Sequence, residues 1–346
     1  DSVTSIGDEA FGACTSLESI IIPDSVTSIG YHAFYSCDSL TSVTIGDSVT
    51  SIDDEAFYSC DSLTNVYISD IAAWCSISFE DISANPLYYA DNLYLNGELV
   101  KDVVIPAGVT SIGNYAFYGC DSLTSVTIPD SVTSIGQWAF YDCTNLQYNE
   151  YDNAYYLGNK NNPYLVLVKA KSRDINSCHI HTDTKIIYGS AFSSCMILTN
   201  VTIGNGVTSI GDEAFWGCTS LESITIPDSV TSIGNHAFLG CDSLESIIIP
   251  DNVTSIGNRA FYYCTSLTSV TIGDSVTSIG DEAFYFCTSL ESIIIPDSIT
   301  SIGDDAFLSC DSLKMIYCEA ESKPSGWSSD WNPDNRPVVW GYKVTE

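Results

Sequence analysis

Residues 40–60 read LTSVTIGDSVTSIDDEAFYSC, and the side-chain alternation in that stretch decides the fold. Leu40, Val43 and Ile45 fall on one side of an extended segment and Ser42 and Thr44 on the other, the period-two pattern of a half-buried strand. Asp47 and Ser48 supply turn chemistry. Val49 and Ile52 point inward again from a second extended segment. In most copies a glycine follows (Gly30, Gly113, Gly211) and marks a backbone corner. A short helical turn then carries Ala56 and Phe57 inward, and Cys60 and Leu63 close the unit.

The same unit recurs along the chain. Ala-Phe pairs place Phe11, Phe34, Phe57, Phe117, Phe140, Phe192, Phe215, Phe238, Phe261, Phe284 and Phe307 at one position; eight of the ten intervals are 23 residues and the other two are 60 and 52. A fixed period of about 20 to 30 residues means one supersecondary unit stacking on its neighbours. Counting the Leu-x-x-Val-x-Ile register gives about thirteen coils, beginning at Leu17, Leu40, Leu63, Val100, Leu123, Leu146, Ile175, Leu198, Leu221, Leu244, Leu267, Leu290 and Leu313. The expected fold is an α/β-type repeat solenoid that is mostly β.

That register resembles leucine-rich repeats, and the unit IPDSVTSIGDEAFxxCTSLESI resembles the BspA-like subfamily, from residue 1 to about Cys318. The resemblance implies an extracellular or cell-surface bacterial protein, with some relatives acting as adhesins for host matrix proteins, and it brings no catalytic residues. The expected organisation is a leucine-rich repeat solenoid over 1–318, with insertions about 69–99 and 147–174, and a C-terminal capping segment over 319–346. Pro324, Trp327, Trp331, Pro333 and Trp340 give that tail the irregular, Trp-rich character of a cap over an open core. The chain starts in mid-repeat, so a leader and an anchor are expected outside this segment.

Composition narrows the function. Eleven Lys and Arg stand against 44 Asp and Glu, a formal charge of −33. Nucleic acid and anionic membrane surfaces need clustered cations and are poor partners for such a chain. The charge suits solubility and a basic partner. No run of apolar residues is long enough to span a bilayer. Fourteen cysteines would ordinarily suggest disulfides. Eleven of them, however, sit three residues after each phenylalanine, which reads as a column of small buried thiols. Coils lie about 5 Å apart in such a stack, so pairing between neighbours stays geometrically open.

The two long intervals point to the binding residues. In the first, Asp70 N-caps a short helix through Trp74 and Cys75, and Asn96-Gly97 between alternating apolar residues makes a hairpin. In the second, Tyr155 to Leu157 and Tyr164 to Val168 flank a loop of a longer hairpin. Five of the eleven basic residues fall between 160 and 185. The outward strand positions are mostly Ser and Thr, which satisfy one another across a sheet. Next to the breaks they become larger and varied. The candidate partner-binding residues are therefore Asn65, Tyr67, Asp102, Tyr148, Glu150 and His179, with the basic group Lys160, Lys169, Lys171 and Arg173.

Other clusters read as structure. Cys178 and Ile180 take inward positions while His179 faces out and His181 lies in a turn, so the four do not converge on a metal. Asp24, Asp47, Asp130, Asp228, Asp251, Asp274 and Asp297 repeat at one turn, and Asp8, Asp54, Asp212, Asp281 and Asp304 open the expected helical turns, where carboxylates favour the N-terminus. No cofactor and no catalytic constellation is expected. The functional expectation is a non-enzymatic, adhesin-like scaffold engaging a protein, such as a host extracellular matrix or surface protein, through the strand face and inserted hairpins. The alternatives are a spacer projecting another domain and a glycan-binding module using Tyr and Trp.

Overall fold

The structure, a computed structural model, describes residues 2–343; residue 1 of the expected solenoid and residues 344–346 of the expected cap lie outside the described residues. Two compact units are present, Asp1–Tyr148 with Gly158–Asn161, and Asn149–Leu157 with Asn162–Glu346. Each is a stack of coils of the mostly β, leucine-rich repeat kind.

In the first unit the Leu-x-x-Val-x-Ile segments Ser19–Ile21, Ser42–Thr44 and Asn65–Ile68 pair in parallel, with Val43 opposite Ile20 and Val66 opposite Val43. The Ser-Ile segments form a second parallel ladder, Ser5–Ile6, Ser28–Ile29, Ser51–Ile52 and Ser78–Phe79. Between the ladders lies the core. Phe11, Phe34 and Phe57 stack with ring centroids 5.3 and 5.1 Å apart, as offset-stacked rings prefer.

The second unit repeats this plan at greater length. One ladder continues through Ile186–Ile187, Ser209–Ile210, Ser232–Ile233, Ser255–Ile256, Ser278–Ile279 and Ser301–Ile302 to Gly326–Trp327. Phe192, Phe215, Phe238, Phe261, Phe284 and Phe307 form a second ring column at 5.2–5.6 Å. The tail continues both ladders, Gly326–Trp327 beside Ser301–Ile302 and Val338–Trp340 beside Met315–Cys318. Trp331 meets Phe307 edge-on at 6.1 Å and ends the ring column.

All fourteen cysteines are free; Cys14 is exposed and the others are buried. Eight of the eleven column thiols donate to the phenylalanine carbonyl of the coil before them, as Cys60 Sγ does to Phe34 O at 3.2 Å and Cys241 to Phe215 O at 3.3 Å, while buried Cys195 reaches Ser172 O and Cys120 meets Ser122 Oγ. Burial raises their pKa: Cys60 is pushed up to about 12 and Cys195 to about 11. A thiol held neutral in an apolar site is chemically inert.

The structure corrects four local expectations. The Ala-Phe turn is not helical. Alternate amides bond within the turn, Ala33 N to Gly30 O and Tyr35 N to His32 O, while those between them reach the next coil, His32 N to Asp54 O, Phe34 N to Ala56 O and Ser36 N to Tyr58 O. Turning every second amide outward puts two residues per turn in the left-handed region, such as His32 and Ser36 at φ 54° and 51°. The leading carboxylates consequently do not cap a helix. Asp8 accepts the amide of Tyr31, Asp212 that of Asn235 and Asp281 that of Asp304, each one coil away.

The corner glycines serve close approach. A Cβ on Gly280 would lie 2.4 Å from Asn258 Oδ1 and 2.6 Å from its amide nitrogen.

The first break contains a coil of its own. Asn92–Leu95 stacks in register on Asn65–Ile68, and Ser78–Phe79 on Ser51–Ile52. Helix Ile71–Cys75, capped by Asp70, replaces the usual turn, and the short turns Ile82–Ala84 and Pro86–Tyr88 replace the Ala-Phe turn. Only the antiparallel return Glu98–Leu99 departs from the stack, through Asn96 and Gly97 at φ 52° and 82°.

The coil strand expected after Leu146 does not join the parallel ladder. Asn149–Tyr151 instead pairs antiparallel with Ala154–Leu157, which pairs antiparallel with Val166–Ala170. Asn149 occupies the place of the buried valine and is exposed; an amide there gives no apolar side chain to hold the segment against the core.

Candidate functional site

The expected site residues divide between the two units. Asn65, Tyr67, Asp102, Tyr148 and Lys160 belong to the first; Glu150, Lys169, Lys171, Arg173 and His179 belong to the second.

In the first unit the strand face opens with Ser19 and Ile21, then Ser42 and Thr44. Ile21 is 75% exposed. The face then turns aromatic. Tyr67 is half-buried and stacks on Tyr94 at 4.8 Å, because Asn92–Leu95 lies in register beside it. Asn92 Nδ2 donates to Thr64 O at 3.2 Å, and Asn65 Nδ2 to Thr64 Oγ1 at 3.1 Å. Asn96 Nδ2 ties the hairpin tip to Ser69 O, and Ser69 Oγ donates to Asp47 at 2.6 Å. Two rings, three amides and a carboxylate therefore gather where the five-stranded sheet ends in its antiparallel return.

Asp102 is exposed, and the next coil engages it. Ser125 Oγ donates to Asp102 Oδ1 at 2.6 Å and Thr124 Oγ1 at 3.3 Å. Tyr148 is half-buried, and burial together with nearby Cys143 pushes its hydroxyl up to about 12. Lys160 lies exposed in the loop that carries Asn159, whose amide donates to Asp130 at 2.8 Å.

In the second unit the inserted hairpins carry an ion pair and a histidine–carboxylate contact. Lys171 Nζ lies 2.8 Å from Glu150. His179 is held by Asp152, whose carboxylate accepts the His179 amide at 2.6 Å and lies 3.3 Å from Nδ1. Lys169 and Lys171 stand 6.0 and 5.9 Å from the Tyr155 ring centroid, the distance of an exposed cation–π contact. Arg173 is exposed. Part of the basic group is thus matched by the carboxylate and ring of its own hairpin.

Beside it, Tyr164 stacks on His181 at 4.1 Å and Tyr151 meets the same imidazole edge-on at 4.8 Å. His181 Nδ1 accepts the Asp183 amide at 3.2 Å. Cys178 is buried and His179 turns away to Asp152, so the Cys-His-Ile-His run spreads over core, face and turn.

Sequence reasoning missed Tyr94, Asp152 and the Tyr151–Tyr164–His181 cluster. Tyr94 was within reach: Ala90, Leu93 and Leu95 repeat the inward register, with Asn92 and Tyr94 outward. The other groups depend on the antiparallel pairing of Asn149–Tyr151, which no repeat pattern encodes.

The model of the BspA type leucine-rich repeat region matches residues 1–95, 89–160 and 170–277, in six copies. No curated protein matches the chain. Among solved structures, a leucine-rich cell surface protein from Faecalibacterium prausnitzii A2-165 is 31% identical, over 95% of this chain and 85% of that one, with a TM-score of 0.40. Leucine-rich repeat proteins from Bacteroides ovatus ATCC 8483 and Eubacterium ventriosum ATCC 27560 are 27% and 28% identical. The first covers 98% of this chain and 87% of its own with a TM-score of 0.34, the second 90% and 86% with 0.39. With most of its length matched by that model, the chain belongs to the BspA-type leucine-rich repeat family.

Proposed function

We propose that this protein is a non-enzymatic binding scaffold of the cell surface or extracellular space that engages a protein partner where its irregular coils break the hydroxyl-rich strand face. The observation that carries the reading is the Tyr67–Tyr94 stack beside the hairpin Asn92–Leu99. Rigid aromatic side chains with few rotatable bonds, set beside amides, are what protein-binding surfaces concentrate. Asn65 borders this stack, and Asp102, Tyr148 and Lys160 are further candidates in the same unit; Glu150, Lys169, Lys171, Arg173 and His179 are the candidates of the other. The family supports a place outside the cell. Among the described residues no helix is long and apolar enough to cross a membrane.

The test is capture of immobilised extracellular matrix and host surface proteins by the purified chain, followed by the variants Tyr67→Ala, Tyr94→Ala and Lys171→Ala. For any partner captured, the reading expects a loss of about tenfold or more from at least one aromatic variant, with circular dichroism unchanged. Capture that survives all three substitutions would remove the proposed surface.

A further inference from the structure

A second surface lies on the turn side of the coils. The residue after each buried phenylalanine points outward, and in the first unit tyrosine holds that position repeatedly. Tyr35 stacks on Tyr58 at 5.8 Å, and Tyr118 on Tyr141 at 5.7 Å. Tyr88, supplied by the irregular coil, approaches Tyr118 at 5.9 Å. Trp138 joins Tyr141 at 5.7 Å. Tyr88 is 45% exposed and Tyr141 58%. The ring column beneath already fills the core, so packing does not account for this outer row.

The charge around it is one-sided. Residues 102–148 contain no lysine or arginine. Asp142 sits close enough to Tyr118 to raise its pKa, after the larger effect of burial. Farther along the same side, Asp54 is pushed up by burial and by the carboxylates of Asp81, Asp53, Glu80 and Glu55. An exposed aromatic surface in an anionic field favours a planar cation, which gains both ring and carboxylate contacts.

The second unit shows a guanidinium held between a turn-face ring and a next-coil carboxylate. That carboxylate stands two residues before its coil's phenylalanine, where the first unit has Trp138, rather than two residues after it as Asp142 is. The Arg259 guanidinium lies 5.8 Å over the Tyr262 ring of its own turn and 2.6 Å from Glu282 of the next coil. His32 repeats the pattern in the first unit, 4.6 Å from the Tyr35 ring with Nε2 against Glu55. Tyr118 and Asp142 present a ring and a next-coil carboxylate in a stretch whose sequence supplies no guanidinium.

We propose that the turn face around Tyr118, Trp138, Tyr141 and Asp142 is a docking surface for an arginine-rich segment of a partner protein. It is separate from the strand face, and each can fail without the other. Arginine is selected over lysine because its flat, weakly hydrated fork stacks on aromatic rings while pairing with a carboxylate.

The experiment compares two labelled peptides of equal length and charge, one of Arg-Gly repeats and one of Lys-Gly repeats, by fluorescence anisotropy at about 0.15 M salt. General attraction to a −33 chain holds both equally, so the ratio of affinities is the readout. The full chain should bind the arginine peptide about tenfold more tightly, and Tyr118→Ala/Trp138→Ala/Tyr141→Ala should bring the two within about twofold. Should the triple variant melt abnormally, Tyr141→Ala alone should cut the ratio by about threefold, while Tyr262→Ala leaves it unchanged. Equal affinities in the unaltered chain would overturn the proposal, as would a ratio that survives these substitutions. A neutral oligosaccharide panel whose binding is lost in the variant, with no arginine preference, would give the surface to glycans instead.

Discussion

Ser36 and Gly240 occupy the same place in their turns, at φ 51° and 70°. Glycine enters that region freely and serine does so at a cost. The backbone accepts the cost because Ser36 N reaches Tyr58 O of the next coil at 2.9 Å. At the corner before most turns the demand is opposite. Gly280 has no left-handed φ, yet Asn258 leaves no room for a Cβ. The two positions should therefore respond in opposite senses in denaturant unfolding. Ser36→Gly should stabilise by about 0.5–1 kcal/mol through relieved backbone strain. Gly280→Ala should destabilise by about 1–3 kcal/mol through overpacking. The corner glycine was legible in the sequence as a repeated position, whereas its reason was not, because the atom that excludes a side chain comes from 22 residues earlier.

At the scale of elements, both strand ladders, the capped helix at Asp70 and the Asn96-Gly97 hairpin followed from local pattern, since side-chain alternation and turn chemistry act over a few residues. The turn itself did not. Ala, Phe and Cys at spacings of one and three fit one helical turn, and only the amides bonded across coils distinguish the observed turn from it. The coil within the first break was hidden because Ala90 stands where the register has leucine and no Ala-Phe pair precedes it. The cysteine column, read as one thiol per coil, takes on a pH dependence in the fold. An unfolded thiol ionises near 9.0, and the folded Cys60 thiol near 12. Below pH 9 both states keep the proton and the stabilisation is complete. Between 9 and 12 the unfolded state gives up a proton that the folded state retains, so stability falls as pH rises. Melting temperatures from about pH 8 to about pH 10.5 should decline, and Cys60→Ala should decline less steeply. A variant slope equal to or steeper than that of the unaltered chain would contradict a buried, neutral thiol.

For the molecule as a whole, the regular coils account for the Phe, Cys, Gly and Asp whose repetition dominates the sequence, and the side chains proposed for recognition lie where the repeat is interrupted. The charge of −33 is spread over corners and turns, where carboxylates accept amides from neighbouring coils, so acidity is in part a means of joining coils. The proposed binding residues were legible as exceptions to a pattern; Asp152 and Tyr164 were not, because they come from antiparallel pairings that the repeat does not specify, and Tyr94 sits in a coil that no Ala-Phe pair announces. All of this rests on coils stacked closely enough to bury a column of unpaired thiols. Reaction with a chromogenic thiol reagent at about pH 8, before and after denaturation and without reductant, examines that stacking directly. One rapidly reacting thiol, Cys14, is expected in the native protein and fourteen in the unfolded chain. Fewer than fourteen after unfolding would reveal disulfides between coils, and many reactive thiols in the native protein would mean that the coils are not stacked as described.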